Sequence, residues 1–170
     1  TILFFGGGEF GLGKDKTLKI LKAFMDNIKD EYQIIAISGK NAKMQEKFTE
    51  LVGDNPNVQV YGFTNEVPEL MSISDLVVTK PGGLTITESL ASGLPIVVIN
   101  PIPGQEVENA EFLEKKGVAV WIRKTEDPQQ AVAELLSNPE QIKHMKIRSK
   151  LMAKKHSTED ICKIILENKK

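Results

Sequence analysis

Three short stretches of the sequence hold residues whose types and spacing could do chemistry. The first is Gly6-Gly7-Gly8-Glu9-Phe10-Gly11-Leu12-Gly13-Lys14-Asp15. Gly6, Gly8 and Gly11 satisfy G-x-G-x-x-G, the turn that admits a dinucleotide. That motif also wants an acid about 20 residues on, at the end of the following strand, to hold a ribose. The strand here ends Ser38-Gly39-Lys40, and Asp30 and Glu31 precede it. Gly8 to Lys14 satisfies G-x-x-x-x-G-K, but Asp15 stands where a P-loop places Ser or Thr for magnesium, and a carboxylate there repels phosphate. Both motifs fail at the residue that carries their chemistry. What survives is a glycine-rich turn feeding a helix N-terminus, which presents backbone N–H groups to an anion. A tight turn needing positive φ explains one or two glycines. It does not explain five of them between Gly6 and Gly13.

The second stretch is Lys80-Pro81-Gly82-Gly83-Leu84-Thr85-Ile86-Thr87-Glu88. Gly82 and Gly83 let a ligand approach the backbone just before a new helix. Thr85 and Glu88 have the S/T-x-x-E spacing of a capping box, which would keep Glu88 for the helix itself. The alternative is a carboxylate that accepts both hydroxyls of a ribose cis-diol. Either way, Glu88 is expected in the first turn of a helix. The third stretch is Pro101-Ile102-Pro103-Gly104-Gln105-Glu106-Val107-Glu108-Asn109. Prolines stiffen it, and Gln105 and Asn109, an i,i+4 step, share one helix face beside Glu106. Such a face suits the hydroxyls of a sugar; it is equally what a solvated first turn looks like.

The remaining singletons carry less. His144 and His156 fall in C-terminal helices away from these loops, Trp121 is expected in the core, and Cys162, near Ile161 and Ile164, is expected as a buried thiol. One cysteine and two histidines cannot build a Cys/His zinc cluster, and one cysteine forms no internal disulfide. No Ser/His/Asp or Cys/His arrangement can be assembled from the loop residues, so no catalytic residue is assigned within the chain.

The elements that must position these stretches alternate between strand and helix. Apolar runs at Ile2–Phe5, Gln33–Ser38, Val58–Tyr61, Leu76–Thr79, Pro95–Ile99 and Val118–Ile122 read as buried strands. Helical spacing appears at Lys14–Lys29, from Asn41 to Val52, and at Val67–Ser72, Thr85–Ser92 and Glu106–Lys116. Gly53 and Gly117 end two of these. Asp127-Pro128 and Asn138-Pro139 each place a capping side chain before a first-turn proline, and Asn138 and Gln141 have capping-box spacing. A final helix is expected over Thr158–Glu167. The pattern predicts an α/β fold: a Rossmann-like, doubly wound parallel sheet of about six strands with C-terminal helices. In such sheets ligands bind beyond the carboxyl ends of the strands. That edge carries the loops Gly6–Gly13, Gly62–Asn65, Lys80–Thr85 and Asn100–Glu106, which include all three stretches.

Composition narrows the class. The 170 residues make one domain with room for a real core, residues 1–170. Hydrophobic residues are 41% and charged residues 26%, an ordinary globular balance. A net charge of -1 supplies no global field for a polyanion, so no nucleic-acid partner is expected. The most apolar stretch, Leu94 to Ile102, is far short of the roughly 18 residues a spanning helix needs and holds two prolines. The chain begins at Thr1 and runs directly into a strand, which reads as a piece of something longer.

Taken together, Val77 to Glu88, Gly93-Leu94-Pro95, Pro103-Gly104-Gln105-Glu106 and Asn109-Ala110 resemble the C-terminal domain of GT-B glycosyltransferases. The resemblance is to the monogalactosyldiacylglycerol synthase and processive diacylglycerol glucosyltransferase group. The N-acetylglucosaminyltransferase that makes the lipid-linked peptidoglycan precursor is a related family. Gly6-Gly7-Gly8-Glu9, Ser38-Gly39-Lys40-Asn41 and Tyr61-Gly62-Phe63 fit the same pattern in order and spacing. The likeness covers about residues 1–125, and the remainder matches only as helices.

The resemblance implies the donor-binding half of a two-domain enzyme that moves a hexose from UDP-glucose or UDP-galactose to diacylglycerol or a glycolipid. By position, Glu88 would hold the uridine ribose and Phe63 would frame the uracil. Gly7, Gly8, Gly82, Gly83 and Thr85 would surround the diphosphate. Gln105 and Glu106 would contact the donor sugar, and Asn109 would support that turn or the phosphates. Gly11-Leu12-Gly13 lengthens the first loop relative to some relatives. The developing charge on UDP would be met by backbone amides and a helix N-terminus, with no obligatory metal and no cofactor. The catalytic base, the acceptor site and peripheral membrane contact would lie in an N-terminal domain outside this chain, in an enzyme that is cytoplasmic and peripheral at the membrane. Two other readings share the fold: a UDP-sugar 2-epimerase, and a non-catalytic nucleotide-binding regulatory module.

Overall fold

The computed structural model describes residues 1–6, 14–29 and 31–167. The strands are β1 (Ile2–Phe5), β2 (Ile34–Ile37), β3 (Val58–Tyr61), β4 (Leu76–Thr79), β5 (Ile96–Ile99) and β6 (Ala119–Ile122). The helices are α1 (Lys14–Asn27), α2 (Ala42–Val52), α3 (Val67–Ser72), α4 (Gly83–Ala91), α5 (Gln105–Lys115), α6 (Pro128–Leu136), α7 (Pro139–Met152) and α8 (Ser157–Glu167). All strand pairs are parallel, in the order β3-β2-β1-β4-β5-β6.

That arrangement follows from strands that are apolar at nearly every position. A strand buried on both faces cannot alternate with polar residues, and the crossovers of a parallel sheet put helices over both faces. Successive side chains point to opposite faces, so neighbours in one strand belong to different cores. Phe4, Val78 and Val97 join Leu21, Phe24, Phe48 and Val132 from α1, α2 and α6. Leu3, Val77 and Val98 join Leu70, Ala110 and Leu113 from α3 and α5. Ile2 lies opposite both Ile34 of β2 and Leu76 of β4, which places β1 at the centre of the sheet.

The expected caps form. Asn41 accepts from the Met44 N–H at 3.1 Å and Asn138 from the Gln141 N–H at 3.1 Å. Asp127 accepts from the Gln129 N–H at 3.4 Å, and prolines follow Asp127 and Asn138 at the first helical position.

Two expectations about single residues are corrected. Trp121 packs against the core yet is only half-buried, with the Arg123 guanidinium 4.7 Å from its ring centroid on the outer side. Arg123 is held there by a 2.6 Å ion pair with Glu114. Cys162 is exposed, because α8 contributes no buried residue to either core. Ile161, Ile164 and Ile165 beside it are likewise more than half exposed.

Candidate functional site

Strand order reverses direction at β1: the chain runs outward through β2 and β3, then crosses back to β4 on the other side. The loops leaving β1 and β4 therefore part, and a crevice opens at the carboxyl edge between them. A cleft of about 490 Å³ occupies this edge, floored by Phe5, Ile37 and Thr79 at the strand ends. Ser38, Gly39, Lys40 and Asn41 form one wall, and Phe63 and Thr64 lie beyond them. Lys80, Gly82, Thr85 and Glu106 form the other side.

Of the residues expected from sequence, Phe63, Gly82, Thr85 and Glu106 meet in this cleft. Gly83 is the first residue of α4, next to Gly82. Asn109 is half-buried behind it, and Gln105 is exposed at the start of α5; neither lines the cleft. Glu88 is also exposed, one helical turn past Thr85. The phosphate contacts expected of Gly7 and Gly8 fall outside the described residues. Gly6, which is described, needs to be glycine for packing: a Cβ there would come within 2.9 Å of the Phe48 ring.

The capping box expected of Thr85 and Glu88 does not form. Gly82 is the N-cap, its carbonyl accepts from the Ile86 N–H at 3.0 Å, and α4 begins at Gly83. Pro81 and the two glycines let the helix start two residues earlier than the spacing suggested. Thr85 is thus inside the first turn, and Glu88 is in the second, out of reach of the N-cap. The Glu88 carboxylate has no hydrogen bond or ion pair with a described residue. No side chain among the described residues caps α4. A Cβ at Gly82 or Gly83 would meet nothing within 4 Å, and Gly82 has an ordinary extended φ of -68°. Neither packing nor backbone conformation calls for glycine at these two positions. Their bareness leaves the first N–H groups of a helix open at the rim of a cleft, where an anion is favoured by both hydrogen bonding and the helix dipole.

The third stretch holds the cleft in shape. The Glu106 carboxylate accepts from the Ile102 N–H at 2.7 Å and closes the loop after β5. Gly104, at φ +100°, turns the chain into α5. Asn109 Nδ2 donates to the Pro81 carbonyl at 2.9 Å, tying α5 to the turn that starts α4. Replacing Asn109 with Ala is expected to cost about 1 kcal/mol of stability through that lost bond. Because that bond fixes the turn at the rim of the cleft, the affinity of an anion bound at the start of α4 is expected to fall several-fold as well. Parallel thermal melts and titrations separate the two effects.

The wall after β2, Ser38 to Asn41, fits the family pattern in sequence but carries no role of its own there. Its signal was present: Gly39, at φ +62°, ends a strand at the carboxyl edge, as the other site loops do. Lys40 reaches from it across to Phe63, its ammonium 5.3 Å from the ring centroid, although Phe63 is 62% exposed. Among the described residues no group of three His, Cys, Asp or Glu is placed to hold a metal ion, and no helix is long and apolar enough to cross a membrane.

Comparison with known proteins places this geometry. Residues 1–162 match the family described as glycosyltransferase family 28 C-terminal domain, so the match runs through α6 and α7 into α8 and well past the stretch expected from motifs. The processive diacylglycerol beta-glucosyltransferase of Bacillus pumilus is 34% identical over 94% of this chain and 45% of its own length. The protein of that name from Staphylococcus epidermidis is 36% identical over 98% of this chain and 42% of its own. The crystal structure of MurG from Acinetobacter baumannii superposes with a TM-score of 0.78 at 25% identity, covering 98% of this chain and 49% of that one. The chain therefore spans less than half the length of the curated relatives it matches.

Proposed function

The chain belongs to the glycosyltransferase family 28 C-terminal domains, and on that premise we propose that it holds the donor of a UDP-hexose-dependent lipid glycosyltransferase. The observation that carries this reading is the cleft at the strand switch. A glycine-led helix N-terminus with no side-chain cap opens onto it, and one turn beyond stands a carboxylate with no partner among the described residues. An anion and a cis-diol separated by about one helical turn describe a nucleoside diphosphate.

In this reading Phe63 frames the uracil, Glu88 accepts the ribose hydroxyls, and Gly7, Gly8, Gly82, Gly83 and Thr85 surround the diphosphate. Gln105 and Glu106 face the hexose of UDP-glucose or UDP-galactose, and Asn109 holds the Pro81 turn that orients them. As the bond to the anomeric carbon breaks, charge grows on UDP. The open amides of α4 are already aimed at it, so little reorganisation is needed at the moment of reaction. The acceptor is diacylglycerol or a glycolipid, bound with its general base and its membrane contact by an N-terminal domain outside this chain.

The test is calorimetric titration of the 170-residue chain, its folding verified by a cooperative melt, with UDP, UDP-glucose and UDP-galactose. Heat of binding is expected with UDP, together with no hexosyl transfer to diacylglycerol vesicles by this chain alone. Silence with all three ligands at millimolar concentration would sink the proposal.

A further inference from the structure

The cleft holds two ammonium groups that the donor reading leaves without a task. Lys40 stands three residues beyond β2 and Lys80 directly beyond β4, and both line the cleft. In the sheet β2 and β4 are the two neighbours of β1, so the lysines rise on either side of the strand whose end begins the glycine loop. That is where a doubly wound sheet receives a diphosphate. Neither lysine has a carboxylate within 4 Å among the described residues. The carboxylate that lines the same cleft, Glu106, is occupied by the Ile102 N–H.

Each lysine is held in a way suited to a ligand. Lys80 is half-buried at the cleft, and its ammonium has no carboxylate partner among the described residues to compete with an incoming anion. Lys40 is exposed and rests over the Phe63 ring, a weak hold that phosphate oxygens readily outbid.

We propose that Lys80 and Lys40 form a two-sided cationic clamp on the diphosphate of the donor and of departing UDP. This rests on the donor reading and deepens it. In the transfer, the bond between the anomeric carbon and the β-phosphate oxygen breaks and its electron pair leaves with UDP. The acceptor oxygen forms the new bond to that carbon and gives its proton to a base outside this chain. The clamp adds point charges on both flanks to the amides of α4, and it distinguishes nucleoside diphosphates from nucleosides.

The experiment titrates wild type, Lys80→Met, Lys40→Met and Lys80→Arg with UDP and with uridine at low and moderate salt. Methionine keeps the apolar stem and removes the charge. UDP affinity is expected to fall about tenfold for Lys80→Met and about threefold for Lys40→Met, the size of one half-buried and one exposed charge-assisted contact. Uridine affinity should stay within about twofold in both, Lys80→Arg should retain most UDP binding, and salt should weaken UDP binding less in the methionine variants. The clamp is overturned if both methionine variants keep the wild-type ratio of UDP to uridine affinity, or if uridine falls as much as UDP. If wild type binds neither ligand, the donor reading falls and the clamp with it. Binding by wild type with an unchanged ratio in the variants removes the clamp alone. Should Lys80→Met not fold, Lys80→Gln and the exposed Lys40→Met carry the comparison.

Discussion

UDP is expected to bind the Glu88→Ala variant about 10- to 100-fold more weakly than the unaltered domain, with a melting temperature unchanged within about a degree. The affinity loss follows from removing a charged acceptor from two ribose hydroxyls, worth about 1.5–3 kcal/mol. The unchanged stability follows from the structure. Glu88 is exposed, lies in the second turn of α4 and makes no intramolecular bond with the described residues. Alanine is also the better helix former. Comparing UDP with 2′-deoxy-UDP sharpens the result. The unaltered domain should prefer UDP, and the variant should lose that preference. Retained affinity together with a lost 1 kcal/mol or so of stability would return Glu88 to a helix-stabilising role.

Phe48→Ala carries the largest expected cost to folding, about 3–5 kcal/mol. Phe48 is fully buried on α2 and meets the Phe4 ring of the central strand edge-to-face, at 5.9 Å and 79°. Its ring also backs Gly6, where β1 leaves the sheet toward the glycine loop. A domain of this size has about 5–15 kcal/mol in all, so the variant loses a substantial part of its stability and melts about 10 °C lower. Chemical denaturation read by fluorescence or circular dichroism gives the free energy directly. A loss under about 1 kcal/mol would mean that α2 does not pack on β1 as described. Because Phe48 sits under the start of the glycine loop, its loss should also weaken UDP binding, in contrast to Glu88→Ala, which separates affinity from stability.

Much of this was legible in the residues. Every strand lies within one residue of its expected ends, because a short apolar run closed by Gly, Pro or Asn has few alternatives. Asn41, Asp127 and Asn138 cap as their spacing indicated, since a cap is a local bond over two or three residues. Parallel connection puts the loops that could hold a ligand at the carboxyl edge, and the cleft of about 490 Å³ opens there. The misreadings were of another kind. Thr85 and Glu88 have capping-box spacing, but Gly82 and Gly83 start the helix earlier. Trp121 and Cys162 look like core residues by type, and whether anything covers them depends on elements distant in sequence.

By itself, then, the sequence determined the alternation of elements, the parallel sheet, the loops that carry chemistry and the family motifs. These depend on side-chain periodicity and on bonds between near neighbours. Only the tertiary structure decided which of those residues share one cleft, that Glu88 has no partner among the described residues, that Asn109 holds the Pro81 turn, and that Lys40 and Lys80 flank the same central strand. Lys40 and Lys80 are far apart in the chain, and Asn109 is 28 residues from Pro81. Strand order β3-β2-β1-β4 brings them together, and that order is set by how two apolar layers close over one sheet, which no local spacing records.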